Sequence, residues 1–147
     1  MSEIGRLERI WVKRSMRGLM DEVDTAELQT GTGIIGNADQ GGRRQVTILS
    51  AERWHRAEAD LGVALDPSVR RANLLVSGID LVGSRGRVLT VGGARLTIWG
   101  ETRPCRLMDL AHDGLQGALD ADWGGGAYAQ VLDGGTISVG AEVTLED

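Results

Sequence analysis

The sequence predicts a mainly β fold, a small barrel or sandwich with one or two short helices, formed by residues 1–147 as a single domain. Two observations favour this fold class. A content of 22 glycines and 2 prolines indicates many tight turns. Seven or eight short apolar runs also follow one another closely, without the helix between successive strands that a βαβ repeat requires.

Residues 51–61 are the best helix candidate. Trp54, Ala57 and Leu61 recur there at spacings of three and four residues, which places them on one apolar face. Residues suited to capping stand at both ends, namely Ser50 and Gly62. A second, shorter helix is predicted within residues 114–122.

The predicted strands lie on both sides of this helix. The clearest element is a hairpin, in which residues 87–91 and 94–98 alternate in polarity around Gly92-Gly93, the signature of a primed turn. Asp133-Gly134-Gly135 predicts a second hairpin between the apolar runs that flank it. Residues 21–30 are acidic and weakly periodic, and we predict a loop with short pieces of structure there. The other predicted strands are residues 10–13, 45–49, 74–76, 79–82 and 143–145.

The segment Gly31-Thr32-Gly33-Ile34-Ile35-Gly36 matches the GxGxxG pattern of dinucleotide-binding proteins. That chemistry needs the glycines to follow a strand and to open a helix whose N-terminus receives the pyrophosphate. Residues 27–30 are a poor strand, and residues 37–42 are unsuited to opening a helix. We therefore interpret the match as a product of the high glycine content.

The composition excludes several functional classes. A net charge of −5 argues against a nucleic-acid binder with a broadly basic surface. No apolar run approaches the roughly 20 residues that span a bilayer, and the early acidic residue at the start is unlike a signal peptide. The single cysteine, Cys105, excludes an intramolecular disulfide and a CxxC zinc site. We therefore expect a cytoplasmic protein without a nucleic-acid or membrane partner.

Arginine dominates the positive charge, because Lys13 is the single lysine among 16 basic residues. Three polar segments, residues 37–45, 67–73 and 100–109, each hold an arginine pair or near pair beside small residues. Such groups can grip phosphate or carboxylate with charged hydrogen bonds. Codon bias and surface ion pairs with the 21 acidic residues are the alternative explanations. Only convergence of the three segments in the fold would favour a binding site.

Cys105 lies between Arg103 and Arg106 and directly follows Pro104. Neighbouring guanidinium groups stabilise the thiolate, the form that acts as nucleophile and metal ligand. Proline restricts the local backbone and gives the sulfur a defined direction. A lone cysteine is more often an inert core residue, but these polar surroundings favour a functional one. We expect the arginine-bearing segments to meet around this sulfur at a barrel mouth.

A divalent-metal site is a second interpretation of the same segment. Glu101, Cys105 and Asp109 are spaced by four residues and His112 follows three later, so one helix would align them as ligands of zinc or a similar ion. Pro104 disfavours a continuous helix there, which makes this the weaker hypothesis.

Several short segments resemble the MOSC domain family, which is named for the C-terminal domain of molybdenum-cofactor sulfurases. They occur in the family's order and are spread over nearly the whole chain. The segments are Gly33-Ile34-Ile35-Gly36, Arg44-Gln45-Val46-Thr47-Ile48-Leu49, Arg71-Ala72-Asn73-Leu74, Pro104-Cys105 and Gly125-Gly126-Ala127-Tyr128-Ala129-Gln130-Val131-Leu132.

The resemblance implies a MOSC-type β-barrel with a pocket for the molybdenum cofactor (molybdopterin). It implies that Cys105 binds molybdenum or carries sulfur as a persulfide. Basic residues such as Arg44, Arg70 and Arg71 would hold the cofactor's phosphate, and Asn73 would bond nearby. A soft thiolate is also a suitable ligand for a soft metal.

Two positions depart from the family's pattern. Many relatives have Gly-Asp followed by a histidine where this chain reads Gly36-Asn37-Ala38-Asp39-Gln40. Many also have a basic residue where this chain has Gly124. A polar contact of the pocket is therefore expected to differ.

The leading hypothesis is a cofactor-binding, sulfur-handling domain of the sulfurtransferase type, with Cys105 as catalytic residue and metal ligand and Arg103 among the cofactor-binding residues. An alternative is molybdenum-dependent reduction of N-hydroxylated compounds. A third hypothesis is a non-catalytic domain that binds a small anion or docks a partner. The expected partners are small molecules, either the cofactor or a sulfur donor or acceptor.

Overall fold

The computed structural model describes residues 3–146. Within this range the chain forms eleven strands, three α-helices and one 3-10 helix. The strands are β1 (Glu3–Lys13), β2 (Met20–Val23), β3 (Thr25–Gln29), β4 (Gly33–Ile34), β5 (Val46–Ser50), β6 (Leu74–Ser77), β7 (Val88–Val91), β8 (Ala94–Glu101), β9 (Ala127–Asp133), β10 (Gly135–Ser138) and β11 (Glu142–Leu145). The helices are α1 (Ala51–Leu61), α2 (Met108–Ala111) and α3 (Leu115–Leu119), with the 3-10 helix at Pro67–Arg70.

Seven strands in the described part of the chain close into a barrel, which confirms the predicted fold class. Their order is β1-β11-β7-β8-β9-β5-β6, and β6 pairs with β1 to complete the ring. The long β1 makes closure possible because its first residues pair with β11 and its later ones with β6. A shorter sheet, of order β10-β3-β4, adds apolar side chains to the same core.

Alternation along the strands divides the apolar residues into two clusters. In β5, Val46 and Ile48 face the barrel interior, whereas Leu49 belongs to a second cluster outside the barrel. The outer cluster also contains Trp11, Trp54 and residues of the three helices, so the helices cover one side of the barrel wall.

The structure confirms the predicted helix at its predicted bounds. The Ser50 hydroxyl accepts a hydrogen bond from the Arg53 backbone N–H at 3.2 Å, and Gly62 ends the helix with a left-handed φ of 67°. Together with the 3-10 helix, α1 connects β5 to β6, and these two strands consequently run parallel.

Two local predictions are wrong and a third is incomplete. Residues 21–30 hold short pieces of structure as predicted, but most of the segment belongs to the strands β2 and β3. The sequence pattern missed these strands because acidic neighbours mask the alternating burial of Ala26 and Leu28. Residues 79–82 are irregular or turn, not a strand. The second hairpin does not form, since β10 pairs with β3 instead of β9. Gly134 allows this close approach, because a Cβ there would lie 2.5 Å from the Leu28 carbonyl oxygen.

The first hairpin is confirmed, with Val91 opposite Ala94 and a positive φ of 56° at Gly92. The glycine-rich segment 31–36 forms β4 and its adjoining turns. It follows a strand, β3, so the prediction that residues 27–30 are a poor strand is wrong, but no helix opens within residues 37–42, which a dinucleotide site would require. None of the helices within residues 3–146 has the length and apolar character needed to cross a lipid bilayer.

Candidate functional site

Cys105 lines a cleft of about 710 Å³, which we call the cysteine cleft. Thr47 of β5 and Gly125, two residues before β9, form part of its wall. The rest comes from the end of β1 and the turn after it, from the segment before β5, from the 3-10 helix and the residues after it, from the loop that follows β8, and from α2. Thr47 points away from the barrel interior that its neighbours Val46 and Ile48 fill. The cleft therefore lies on the outer wall of the barrel, not at its mouth.

The cysteine cleft brings together arginines from all three polar segments. The predicted site residues that line it are Arg44, Arg70, Arg71, Arg103 and Cys105. Arg43 has a different environment, because its guanidinium stacks 4.4 Å from the ring centre of Trp99. Each polar segment thus contributes at least one cation to the cleft.

Arg70 is held in place by backbone groups. Its Nε donates to the carbonyl oxygen of Gly125 and its Nη2 to that of Thr102, both at 3.0 Å. Its Nη1 reaches the sulfur of Met108 at 3.8 Å, a weak acceptor that leaves donor capacity for a ligand. Burial lowers the pKa of Arg70, whereas the charge of Cys105 raises it and that of Arg44 lowers it. These three side chains therefore interact electrostatically.

The other arginines of the cleft have varied supports. Arg71 ends the 3-10 helix with a left-handed φ of 63°, and its Nη2 donates to the carbonyl oxygen of Gly18 at 2.8 Å. Arg44 lies 5.3 Å from the ring centre of Tyr128. Arg103 is exposed, and its Nε is 3.9 Å from a carboxylate oxygen of Glu101.

Backbone carbonyls and rings, rather than acids, are the partners of three cleft arginines. Within residues 3–146, Arg44, Arg70 and Arg71 form no ion pair with a carboxylate. By contrast, Arg95 on the outer surface binds Asp133 at 2.6 Å. Surface ion pairing therefore does not explain Arg44, Arg70 and Arg71, whose positive charge remains available to an anion.

The loop that carries Cys105 exposes its sulfur to the cleft. Cys105 is exposed rather than buried in the core. Its carbonyl oxygen accepts a hydrogen bond from the Met108 backbone N–H at 3.0 Å, which turns the chain into α2. The Thr102 hydroxyl, also on the cleft wall, is buried and lacks a hydrogen-bond partner among the described residues. A ligand in the cleft could supply that partner.

Gly125 permits the close packing behind Cys105. A Cβ at this position would lie 2.2 Å from the Thr102 carbonyl oxygen, 3.0 Å from Nη2 of Arg70 and 3.1 Å from Cδ of Pro104. Such distances are far below ordinary contact, so only glycine lets the chain before β9 pass this close to the cysteine loop.

Asn73 lies behind the wall of the cleft and is 3% exposed. Its Oδ1 accepts from the Thr47 backbone N–H at 3.0 Å, and its Nδ2 donates to the Trp11 carbonyl and to Oδ1 of Asn37, both at 3.1 Å. These bonds join β1, β5 and β6 where they approach the cleft. A direct contact between Asn73 and a cofactor remains a prediction.

Sequence reasoning missed two features of the cleft. Lys13 and Asp39 form a 2.8 Å ion pair on the wall of the cleft. The sequence offered one indication that Lys13 has a special role, namely that it is the only lysine. Met16, Leu107 and Leu110 form an apolar rim, with 64%, 59% and 83% of their surface exposed. No sequence pattern predicts this rim, because its residues come from two distant segments.

The alternative divalent-metal site gains no support. Among residues 3–146, no three His, Cys, Asp and Glu side chains are arranged to hold a metal ion. The helix begins only at Met108, so Glu101 and Cys105 do not share it with Asp109.

Solved structures of similar proteins have the same fold. The structure of YuaD from Bacillus subtilis is 22% identical, with a TM-score of 0.81 over 99% of this chain and 97% of that one. YiiM from Geobacillus stearothermophilus is 18% identical, with a TM-score of 0.77 over 97% and 75% of the two chains. YiiM from Escherichia coli is 19% identical, with a TM-score of 0.68 over 97% and 70%. At these identities the likeness establishes the fold alone.

The fold and the cleft define a β-barrel domain with an exposed cysteine among arginines. The family model for the MOSC domain matches residues 36–144, which is most of the chain. This protein therefore belongs to the MOSC domain family, which is associated with binding of the molybdenum cofactor. No curated protein matches the sequence significantly.

Proposed function

We propose that this protein binds the pterin-based molybdenum cofactor in the cysteine cleft and that Cys105 handles sulfur, as a metal ligand or as a sulfur carrier. The observation that carries the proposal is the convergence of Cys105 with Arg44, Arg70 and Arg71 in one cleft. In the described part of the chain these arginines have no acidic partner.

The residues of the cleft fit such a cofactor. The volume of about 710 Å³ lies within the range of roughly 300–1,000 Å³ that is typical of small-molecule sites. The guanidinium groups suit a phosphate, and the buried Thr102 hydroxyl offers an additional polar contact. The exposed sulfur of Cys105 is the soft ligand that molybdenum chemistry calls for.

Each side chain then has a distinct role. Arg70, already fixed by two carbonyls, would hold the anion without losing further side-chain freedom. Arg44 and Arg71 would add positive charge to the site of the anion. The bound molybdenum would supply the redox or sulfur-accepting centre of the reaction.

Transfer of a sulfur atom from a donor persulfide to Cys105 is a nucleophilic displacement at sulfur. The Cys105 thiolate attacks the outer sulfur of a donor persulfide, so that a new S–S bond forms on Cys105 as the donor's S–S bond breaks. The donor leaves as a thiolate, and no external oxidant is required.

The proposal is tested on protein purified from a host that makes the cofactor. We expect molybdenum by mass spectrometry and pterin by fluorescence in the wild type, and a loss of about tenfold or more in Arg44→Met, since one charged hydrogen bond contributes about 1.5–3 kcal/mol. Arg95→Met is the matched control, because Arg95 pairs with Asp133 away from the cleft. Equal loading of both variants would contradict the role of the cleft.

Cyanide treatment separates the two roles of Cys105. Thiocyanate release from the wild type, absent in Cys105→Ser, supports a sulfur carrier, whereas molybdenum loss in Cys105→Ser without labile sulfur supports a metal ligand. Reduction of N-hydroxylated compounds by the loaded protein would favour the alternative reductase activity. A wild type without molybdenum, pterin or labile sulfur would refute the proposal and favour a non-catalytic anion-binding domain.

A further inference from the structure

A second cavity, of about 680 Å³, lies at the beginning of α1. Ser50 and Gly78, at the carboxyl ends of the parallel strands β5 and β6, both line it. Carboxyl ends of parallel strands are a common place for ligands, and the N-terminus of the helix between them favours negative charge. We call this the α1 cavity, and it shares no lining residue with the cysteine cleft.

Arg53 lines the α1 cavity and is an incompletely bonded cation. It is only 9% exposed, and its Nη2 donates to the carbonyl oxygens of Ala118 and Ala121 at 2.8 and 2.9 Å. Its Nε and Nη1 are buried and have no hydrogen-bond partner among residues 3–146. A buried charged donor without an acceptor is destabilising. Burial also lowers the pKa of Arg53.

Two acidic residues that line the cavity, Asp122 and Glu52, are already bound to other groups. Asp122 pairs with Arg56 at 2.9 Å. Both oxygens of Glu52 accept from the Gly78 backbone N–H, at 3.0 and 3.2 Å. Neither carboxylate accepts a hydrogen bond from Arg53, so within residues 3–146 its Nε and Nη1 have no acceptor.

The α1 cavity is also lined by apolar side chains, one of which belongs to a residue with a strained backbone. Trp123, together with Ile79, Leu81 and Val82, lines the α1 cavity, and Val82 is 46% exposed. Asp122 and Trp123 both have a φ of 55°, a conformation that costs a non-glycine residue about 1–3 kcal/mol. This backbone conformation holds the indole on the cavity wall.

We propose that the α1 cavity is a binding site for a small monocarboxylate with an apolar or aromatic body. The carboxylate pairs with the free nitrogens of Arg53, and the body packs against Trp123 and the aliphatic wall. The rim also carries Glu3, Glu52, Asp80 and Asp122. These negative charges disfavour a phosphate dianion, so a single carboxylate suits the cavity better.

The test uses the full chain and benzoate as the probe. In nitrogen-15 spectra of the wild type, we expect benzoate to shift the indole N–H of Trp123 in a saturable manner and to leave that of Trp99 unchanged, because Trp99 lies on another face and binds Gln130. Phe substitutions of the four tryptophans assign the signals. Shifts on Trp99 alone, or none up to the solubility limit of benzoate, would overturn the proposal.

Calorimetry with matched probes and variants identifies the recognised group. Benzyl alcohol, which lacks the carboxylate, and inorganic phosphate, which lacks the apolar body, should each bind at least about tenfold more weakly than benzoate. Arg53→Gln should weaken benzoate binding to a similar extent, whereas Arg95→Gln should not change it. Loss of benzoate binding in Arg70→Gln instead would assign the carboxylate to the cysteine cleft and overturn the proposal.

Arg53 also braces the end of α3, so Arg53→Gln is first checked for cooperative urea unfolding. If that variant does not fold, Trp123→Ala replaces it, since it removes the apolar wall and leaves Arg53 in place. Benzoate affinity that is unchanged in Trp123→Ala would equally contradict the site. All of these measurements are independent of whether the cysteine cleft binds molybdenum.

Discussion

Substitution of Gly125 by alanine should distort the cysteine cleft from behind. The added Cβ would lie 2.2 Å from the Thr102 carbonyl oxygen, a backbone atom that cannot rotate away. Ordinary contact requires a movement of about 1 Å or more, either of the cysteine loop or of the chain before β9. The same carbonyl oxygen accepts a hydrogen bond from Nη2 of Arg70, which would move or break with it.

The expected cost combines three effects. Overpacking typically destabilises by about 1–3 kcal/mol, and a weakened charged hydrogen bond adds up to about 1.5–3 kcal/mol. Alanine also reduces the freedom of the unfolded chain, which restores about 0.4–1 kcal/mol. Because the first two effects share the Thr102 carbonyl, they are not additive, and we expect a net loss of about 2–4 kcal/mol in the free energy of unfolding.

Urea unfolding of the purified protein measures this loss. Gly117→Ala is the matched control, because Gly117 lies in α3 and an added Cβ there meets no atom within 4 Å. That control should be unchanged or more stable by up to about 1 kcal/mol. A Gly125→Ala variant within about 0.5 kcal/mol of the wild type would refute the close packing described here.

Three further predictions concern other parts of the structure. Asn73→Asp should lower the free energy of unfolding, measured in urea, by about 2–4 kcal/mol, because the buried carboxylate cannot donate the two hydrogen bonds that Nδ2 of Asn73 makes. A loss below about 1 kcal/mol would contradict the structural role of these two hydrogen bonds. Arg9 holds the pKa values of Asp66 and Glu22 below their ordinary 3.8 and 4.5. At neutral pH the free energy of unfolding of the wild type should therefore be about 1 kcal/mol higher than that of Arg9→Met, and this difference should shrink as the pH falls below about 4. Thermal unfolding curves that show the same difference at every pH would disprove this. Ser50→Ala should lower the free energy of unfolding by about 1 kcal/mol, because it removes the side-chain oxygen that caps α1, and Ser50→Asp should lower it much less. Equal losses in the two variants would argue against this capping hydrogen bond.

Local patterns predicted those elements whose burial follows a single period. The α1 helix was predictable because its apolar face and both caps lie within its own residues. The hairpin around Gly92 was predictable because its turn and its alternation are equally local. By contrast, β10 does not fold back onto β9 but pairs with β3, which lies more than 100 residues earlier in the chain. Pairing at that separation depends on tertiary contacts that a local pattern does not contain.

The site was predictable in its residue types and only partly in its geometry. Cys105 converges with at least one arginine from each polar segment, whereas Arg43 and Arg106 do not line the cleft. The cleft lies on the outer side of the barrel wall rather than at the barrel mouth, because Thr47 faces outward between the inward-facing Val46 and Ile48. Nothing in the sequence predicted that Arg53 would be buried with two nitrogens that lack a hydrogen-bond partner among the described residues. Its position in an amphipathic helix predicts ordinary solvent exposure.

The partners of the arginines, rather than their number, separate function from codon bias. A biased genome places arginine wherever a basic residue is tolerated, and on the surface such residues pair with acids, as Arg95 does with Asp133. Arg70 and Arg71 bind backbone carbonyls instead. A carbonyl dipole orients a guanidinium without neutralising it, so each residue keeps its full positive charge. A protein of net charge −5 can therefore present a locally positive cleft around Cys105, as the proposed binding of an anionic cofactor requires.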